Sequence, residues 1–154
     1  MSDLQRDVER LHARYVHALD TDQLEQWPNF FTQNGRYRIA TAENEARGLP
    51  IPVLYCEGQP MLRDRIASLR HANIYEPQRY RHLFSAMLLE EETPGSVKSI
   101  ANFLVVRIME NGETTLFASG RYVDRIALAP EPRYEERVVI CDSRNFDTLL
   151  AIPL

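Results

Sequence analysis

A chain of 154 residues, 44% hydrophobic and 26% charged, has the size and composition of one soluble domain, expected over 1–154 and able to bury a real core. It holds no run of about 18 apolar residues, which excludes a transmembrane helix. A net charge of −4 without a basic stripe argues against nucleic acid as a partner.

The start, MSDLQRDVER, is charged and lacks the apolar stretch of a secretory signal. Cys56 and Cys141 fit neither a disulfide framework nor a metal-ligand spacing. A cytoplasmic protein with reduced thiols is expected. Lys98 is the only lysine among 18 basic residues. Arginine suits interfaces and carboxylate pairs, so the bias points slightly to a contact surface, and codon usage accounts for the rest.

Ser2 and Asp3 offer an N-cap, after which Leu4, Val8, Leu11, Tyr15, Val16 and Leu19 recur at three- and four-residue steps. That predicts an amphipathic helix ending near Asp20 to Asp22. A second short helix is expected from an Asp22 cap to Trp27, where Pro28 discourages continuation. Gly35 then opens a strand, Arg36 to Ile39. The segment between, EQWPNFFT (25–32), concentrates aromatic surface: it closes a pocket, anchors a partner or plugs the core. Residues 41–52 read as a loop, and Val53 to Cys56 as a short strand. Pro60 suits the first turn of a third helix with Met61, Leu62, Ile66 and Leu69 on one face.

Beyond Pro77 the pattern turns to strands, at Tyr80 to Leu89 and Val97 to Met109. Asn111 and Gly112 predict a type I′ hairpin turn into a return strand, Thr114 to Leu128, with Gly120 at a bulge or bend. Arg133 to Cys141 follows, and the apolar end, 148–154, is expected to pack. Helices followed by a strand meander indicate an α+β fold, with the helices filling the concave side of a cone-like antiparallel sheet.

Among His12, His17, His71 and His82 no metal-ligand pattern emerges, and no phosphate loop or nucleophile elbow is present. The densest constellation is Arg79-Tyr80-Arg81-His82. Alternation sets Arg79 and Arg81 on one face of a strand and Tyr80 and His82 on the other. The inward pair is an acid–base site beside Asp20 or Asp142, or simply hydrogen-bonded sheet. Asp142 itself is a buried acid or a strand-end residue. Arg107, Arg121 and Arg125 line one broad face, solvated or in contact with another subunit.

Several segments together resemble the small (β) subunits of Rieske non-haem iron aromatic-ring-hydroxylating dioxygenases. They are LEQWPNFFTQNGRYRI (24–39), ARGLPIP (46–52), MLRDRIASLRHANIYEPQRYRH (61–82), FLVVRIMENGETTLFASGRYVD (103–124), and ERVVICDS with DTLLAIPL (136–143 and 147–154). The resemblance implies an NTF2-like, scytalone-dehydratase-like cone and an α3β3 hexamer. It also implies a structural chain without catalytic residues, cofactor or metal. A [2Fe–2S] Rieske cluster and mononuclear Fe(II) are then expected on the large α subunit, with NADH electrons arriving through a separate reductase. Within the family the likeness is greatest to members acting on terephthalate, then to those acting on salicylate, so cis-dihydroxylation of terephthalate is the expected reaction of the complex. Trp27, Arg79, Tyr80, Arg81, Arg107 and Arg121 are the candidate subunit contacts. The rival reading is a stand-alone lyase or isomerase using Tyr80, His82, Asp20 and Asp142.

Overall fold

The computed structural model describes residues 2–49, 51–71, 75–144 and 152–154. Helix α1 spans Asp3–Asp20, and the Ser2 side chain accepts a hydrogen bond from the Gln5 amide at its start, as the cap predicts. Its buried face carries Val8, Leu11, Tyr15, Val16 and Leu19, with His12 among them. The second element differs from expectation. Asp22 sits at φ 61, a left-handed residue that ends α1 rather than an extended cap. A short 3-10 helix, Leu24–Phe30, follows and contains Pro28. Packing holds this turn: Leu24, Trp27, Pro28 and Phe30 are all buried, and the Gln59 side-chain amide donates to the Pro28 carbonyl at 2.7 Å.

Strand β1 starts earlier than predicted, at Phe31, and runs to Thr41, with a register irregularity between Phe31 and Arg36. Part of the expected loop forms a helical turn, α2 (Ala42–Ala46), because the Thr41 hydroxyl caps the Asn44 amide. Strand β2 is Leu54–Glu57. Helix α3, Gly58–His71, has Pro60 in its first turn and buries Gln59, Leu62, Ile66 and Leu69. Met61 lies outside that stripe and is exposed, contrary to the expected face.

Strands β3 (Gln78–Thr93), β4 (Ser96–Met109), β5 (Thr114–Ala127) and β6 (Arg133–Cys141) complete one curved six-stranded sheet in the order β2-β1-β6-β5-β4-β3. All neighbours are antiparallel except β1 and β6, which run parallel. The β4–β5 hairpin forms as predicted but not through a type I′ turn. Only Gly112 takes a positive φ, 89°, and its N–H donates to the Met109 carbonyl, giving a longer loop closed by a left-handed glycine. The core lies between the concave face of the sheet and α1, α3 and the 3-10 turn.

Gly120 is not at a bulge. It is register partner to both Phe103 and Cys141, and the irregularities fall elsewhere, at Val105/Val106 and Arg125/Ile126. Its role is close approach, since a Cβ there would lie 1.9 Å from the Ile140 carbonyl oxygen. Gly120→Ala must push β5 from β6, an overpacking cost of about 1–3 kcal/mol or more. The expected result is a clear drop in the urea midpoint, and an unchanged midpoint would refute the close contact.

Candidate functional site

The interior of the cone is occupied by charge. Asp124 on β5 and Arg137 on β6 are register partners, and both point inward. Arg137 donates from Nε to Asp124 Oδ1 and from Nη2 to Oδ2, each at 2.9 Å. Its guanidinium lies over the rings of Tyr122, Tyr134 and Tyr15, at 3.8, 4.2 and 4.3 Å from their centroids. Three aromatic faces thus support a cation that has lost its water.

His12 completes this cluster from α1. Its Nδ1 faces Tyr134 Oη at 2.7 Å and Arg137 Nη2 at 2.9 Å, and its Nε2 faces Ser99 Oγ at 3.1 Å. Arginine only donates, so Nδ1 is the acceptor and the proton sits on Nε2. Burial, reinforced by the Arg137 charge, holds the His12 pKa well below 6.5 and keeps the ring neutral. Burial opposes the charge on Arg137, but Asp124 together with Tyr134 and Tyr15 outweighs it and keeps the guanidinium protonated.

Beside the cluster stands the aromatic plug. Trp27 is 0% exposed, meeting Phe31 and Tyr37 edge-on at 5.4 and 5.0 Å. Its Nε1–H donates to the Tyr15 hydroxyl at 3.0 Å, which in turn donates to the Leu154 carbonyl at 2.8 Å. Tyr37 accepts from the Leu154 amide at 2.9 Å. EQWPNFFT therefore plugs the core, and Trp27 offers no surface to a partner.

The alternation expected for Arg79 to His82 is realised. Arg79 and Arg81 are exposed, whereas Tyr80 and His82 are 2% and 6% exposed. His82 Nδ1 meets Asp20 Oδ1 at 2.6 Å, and the His82 backbone N–H donates to Oδ2 at 2.9 Å. This ties the end of α1 to β3. Asp142 does not join them. It is an exposed strand-end residue whose carboxylate accepts from Ser119 Oγ at 3.0 Å. A cleft of about 680 Å³ opens nearby, touched by Asp20 and Tyr80 but not by His82.

The three arginines do not share a face. Arg107 is the register partner of inward-facing Tyr80 and lies over the Phe117 ring at 4.6 Å. Arg121 and Arg125 alternate with buried Tyr122, Asp124 and Ile126, so they face outward with Arg79 and Arg81. The outer face they share carries exposed leucines between them. Leu83, Leu88 and Leu116 are 53%, 64% and 65% exposed. Across the strands, Arg81 neighbours Val106 and Leu116, and Leu88 neighbours Ile100 and Val123. An antiparallel sheet with a solvated face is ordinarily polar on that side.

The sequence reading missed His12, Asp124 and Arg137. Strand parity carried the signal for the last two: Asp124 shares its parity with Tyr122 and Ile126, and Arg137 with Val139 and Cys141, all buried. Among the described residues, no group of three or more His, Cys, Asp or Glu side chains is placed to hold a metal ion. No helix there is long and apolar enough to cross a membrane.

A family model described as ring hydroxylating beta subunit matches residues 14–149. The chain is 40% identical over 149 residues to the anthranilate 1,2-dioxygenase small subunit of Burkholderia cepacia, covering 96% of this chain and 92% of that one. It is also 40% identical over 148 residues to the terephthalate 1,2-dioxygenase terminal oxygenase subunit beta 1 of a Comamonas species, covering 96% of each. A crystal structure from Novosphingobium aromaticivorans, assigned as the beta subunit of an aromatic-ring-hydroxylating dioxygenase, superposes with a TM-score of 0.90 at 35% identity, covering 98% of this chain and 97% of that one. At the level of fold alone, a protein of the same organism assigned as a scytalone dehydratase gives a TM-score of 0.71 at 13% identity, over 97% and 92% of the two chains. The cone is of the NTF2-like, scytalone-dehydratase-like type, and the chain belongs to the ring-hydroxylating beta-subunit family, as the small subunit of an aromatic-ring-hydroxylating dioxygenase.

Proposed function

We propose that this chain is a structural, non-catalytic subunit that holds large oxygenase subunits in register in an α3β3 assembly in the cytoplasm. One observation carries the reading: the cone's centre is filled by the Asp124–Arg137–His12 cluster, its tyrosines and the Trp27 plug. The described residues do not fit an iron ion or a cluster. The [2Fe–2S] centre and mononuclear Fe(II) are assigned to the α subunit, with electrons from NADH through a separate reductase. The substrate of the complex is a carboxylated benzene, a feature common to anthranilate and terephthalate, and terephthalate is the specific proposal.

The contact surface is assigned to the outer face of β3, β4 and β5, where exposed Arg79, Arg81 and Arg121 surround exposed leucines. Tyr80 and Arg107 act from inside, on the inner side of the strands that present this face, and Trp27 acts from the core against β1. Arginine is enriched at subunit contacts, and the exposed leucines add apolar area between the guanidinium groups. Native mass and iron content of the chain purified from its own host test the reading. A large assembly with an iron-bearing partner is expected, and a lone chain without one would overturn it. In that assembly, Leu83→Asp combined with Arg81→Glu is expected to abolish copurification of the partner while leaving the thermal midpoint of the free chain within a few degrees. Retained copurification would move the contact elsewhere.

A further inference from the structure

Five of the eight large hydrophobic side chains exposed among the described residues lie away from the outer face of β3, β4 and β5. Leu49, Ile51 and Val53 belong to the ARGLPIP segment and the residue after it, Tyr55 lies on the edge strand β2, and Met61 sits in the first turn of α3. They form one cluster. Leu49, Pro52 and Tyr55 line the same hollow, the Tyr55 hydroxyl donates to Glu57 Oε2 at 2.9 Å, and the Glu57 amide donates to Met61 Sδ at 3.4 Å. An exposed apolar cluster with a polar rim marks a contact surface.

This edge is pinned before any partner arrives. Val53 N–H donates to the Ile39 carbonyl at 2.7 Å and Leu49 N–H to the Asn44 carbonyl at 2.9 Å. The paired Arg38 and Glu45 side chains line the hollow as well. Docking there costs little ordering entropy.

The rest of the sheet points to what covers it. Register partners run from Tyr55 through Arg38, Val138, Val123 and Ile100 to Leu88, one row across all six strands. At the far end Leu88 is exposed, beyond the Ser85/Leu88 irregularity that separates it from Leu83. The two ends are complementary in charge. The Glu57 carboxylate is bonded only by the Tyr55 hydroxyl among the described residues. Arg121, two residues from Val123 on the same face, is exposed and holds no ion pair among them. A chain in a three-membered ring meets its neighbours through two different surfaces, never through one patch used twice.

We propose that these two patches are the halves of a head-to-tail contact between copies of this chain, an inference that rests on the α3β3 reading. Leu49, Ile51, Val53, Tyr55 and Met61 of one copy seat on Leu88, Ile100 and Val123 of the next, and Glu57 faces Arg121. Three such contacts close a ring of this chain alone. The large subunit keeps the part of the outer face around Arg79, Arg81 and Leu83, nearer the start of β3, with Arg121 at the border.

Sedimentation equilibrium of the purified full chain, without any partner, is the test. A trimer that dissociates on dilution is expected. Ile51→Asp combined with Val53→Asp changes two exposed side chains, so a monomer with an unchanged far-ultraviolet spectrum is expected. Glu57→Arg and Arg121→Glu are each expected to weaken the trimer about tenfold or more, and their combination in one chain to restore most of the loss. A wild-type monomer, a twofold dimer, a trimer that survives the double aspartate change, or no recovery in the charge-swapped chain would each overturn the proposal. Leu83→Asp with Arg81→Glu is expected to keep the trimer while losing the iron-bearing partner, so the ring and the assembly reading fail independently.

Discussion

Asp124→Ala is expected to lower the urea midpoint of the chain sharply at neutral pH. The substitution removes the counter-charge of Arg137, which is fully buried and packed against three tyrosine rings. Breaking a buried ion pair from one side costs about 3–5 kcal/mol, because the remaining charge has no water to return to. Domains of this size are stable by only about 5–15 kcal/mol in total. His12 gives no relief: its Nδ1 accepts one Arg137 bond but brings no negative charge. The control is the double replacement Asp124→Leu with Arg137→Met, which removes both charges together. Its urea midpoint is expected to recover most of the loss, since an apolar pair of similar volume is often no less stable than the ion pair. A single Asp124→Ala variant with a near-native midpoint would show that water reaches Arg137.

The same cluster sets an acid limit. The folded His12 pKa lies below its unfolded value near 6.5, so the unfolded chain binds the extra proton more readily. The contribution of His12 to stability is therefore complete above that value and shrinks as pH falls below it.

Local rules made much of this fold legible. Ser2 capped α1, the apolar rhythm of α1 marked its buried face, and alternation set Tyr80 and His82 inward with Arg79 and Arg81 outward. The failures share a physical cause, which is that they depend on what a residue meets across the sheet. Gly120 looks like a bulge until β6 is found against it. Arg107 looks like a companion of Arg121 until the Val105/Val106 irregularity and its pairing with Tyr80 are known. Asp20 and Asp142 were equal partners for His82 on paper, and only the approach of α1 to β3 selects Asp20. Arg137 went unnoticed because a charged residue within an apolar strand reads as solvated until the parity it shares with Val139 and Cys141 is taken at face value.

Trp27→Ala separates a core residue from a contact residue. The sequence reading placed Trp27 among the subunit contacts, and on that view the variant loses assembly rather than turnover. Full burial within the chain leads elsewhere. Removing the indole leaves a void bounded by Phe31 and Tyr37 and takes away the donor to the Tyr15 hydroxyl. Such truncations cost about 3–5 kcal/mol, which for a chain of this length lowers the thermal midpoint by roughly 6–20 °C. The free chain, without any partner, should show this loss in full. Trp27→Phe should recover part of it by refilling the void, though not the hydrogen bond. Loss of assembly would then follow from loss of the folded chain, with any surviving assembly retaining normal turnover per iron. If instead the free Trp27→Ala chain melts within a few degrees of wild type and still fails to hold its partner, the plug opens on association and Trp27 is a contact after all.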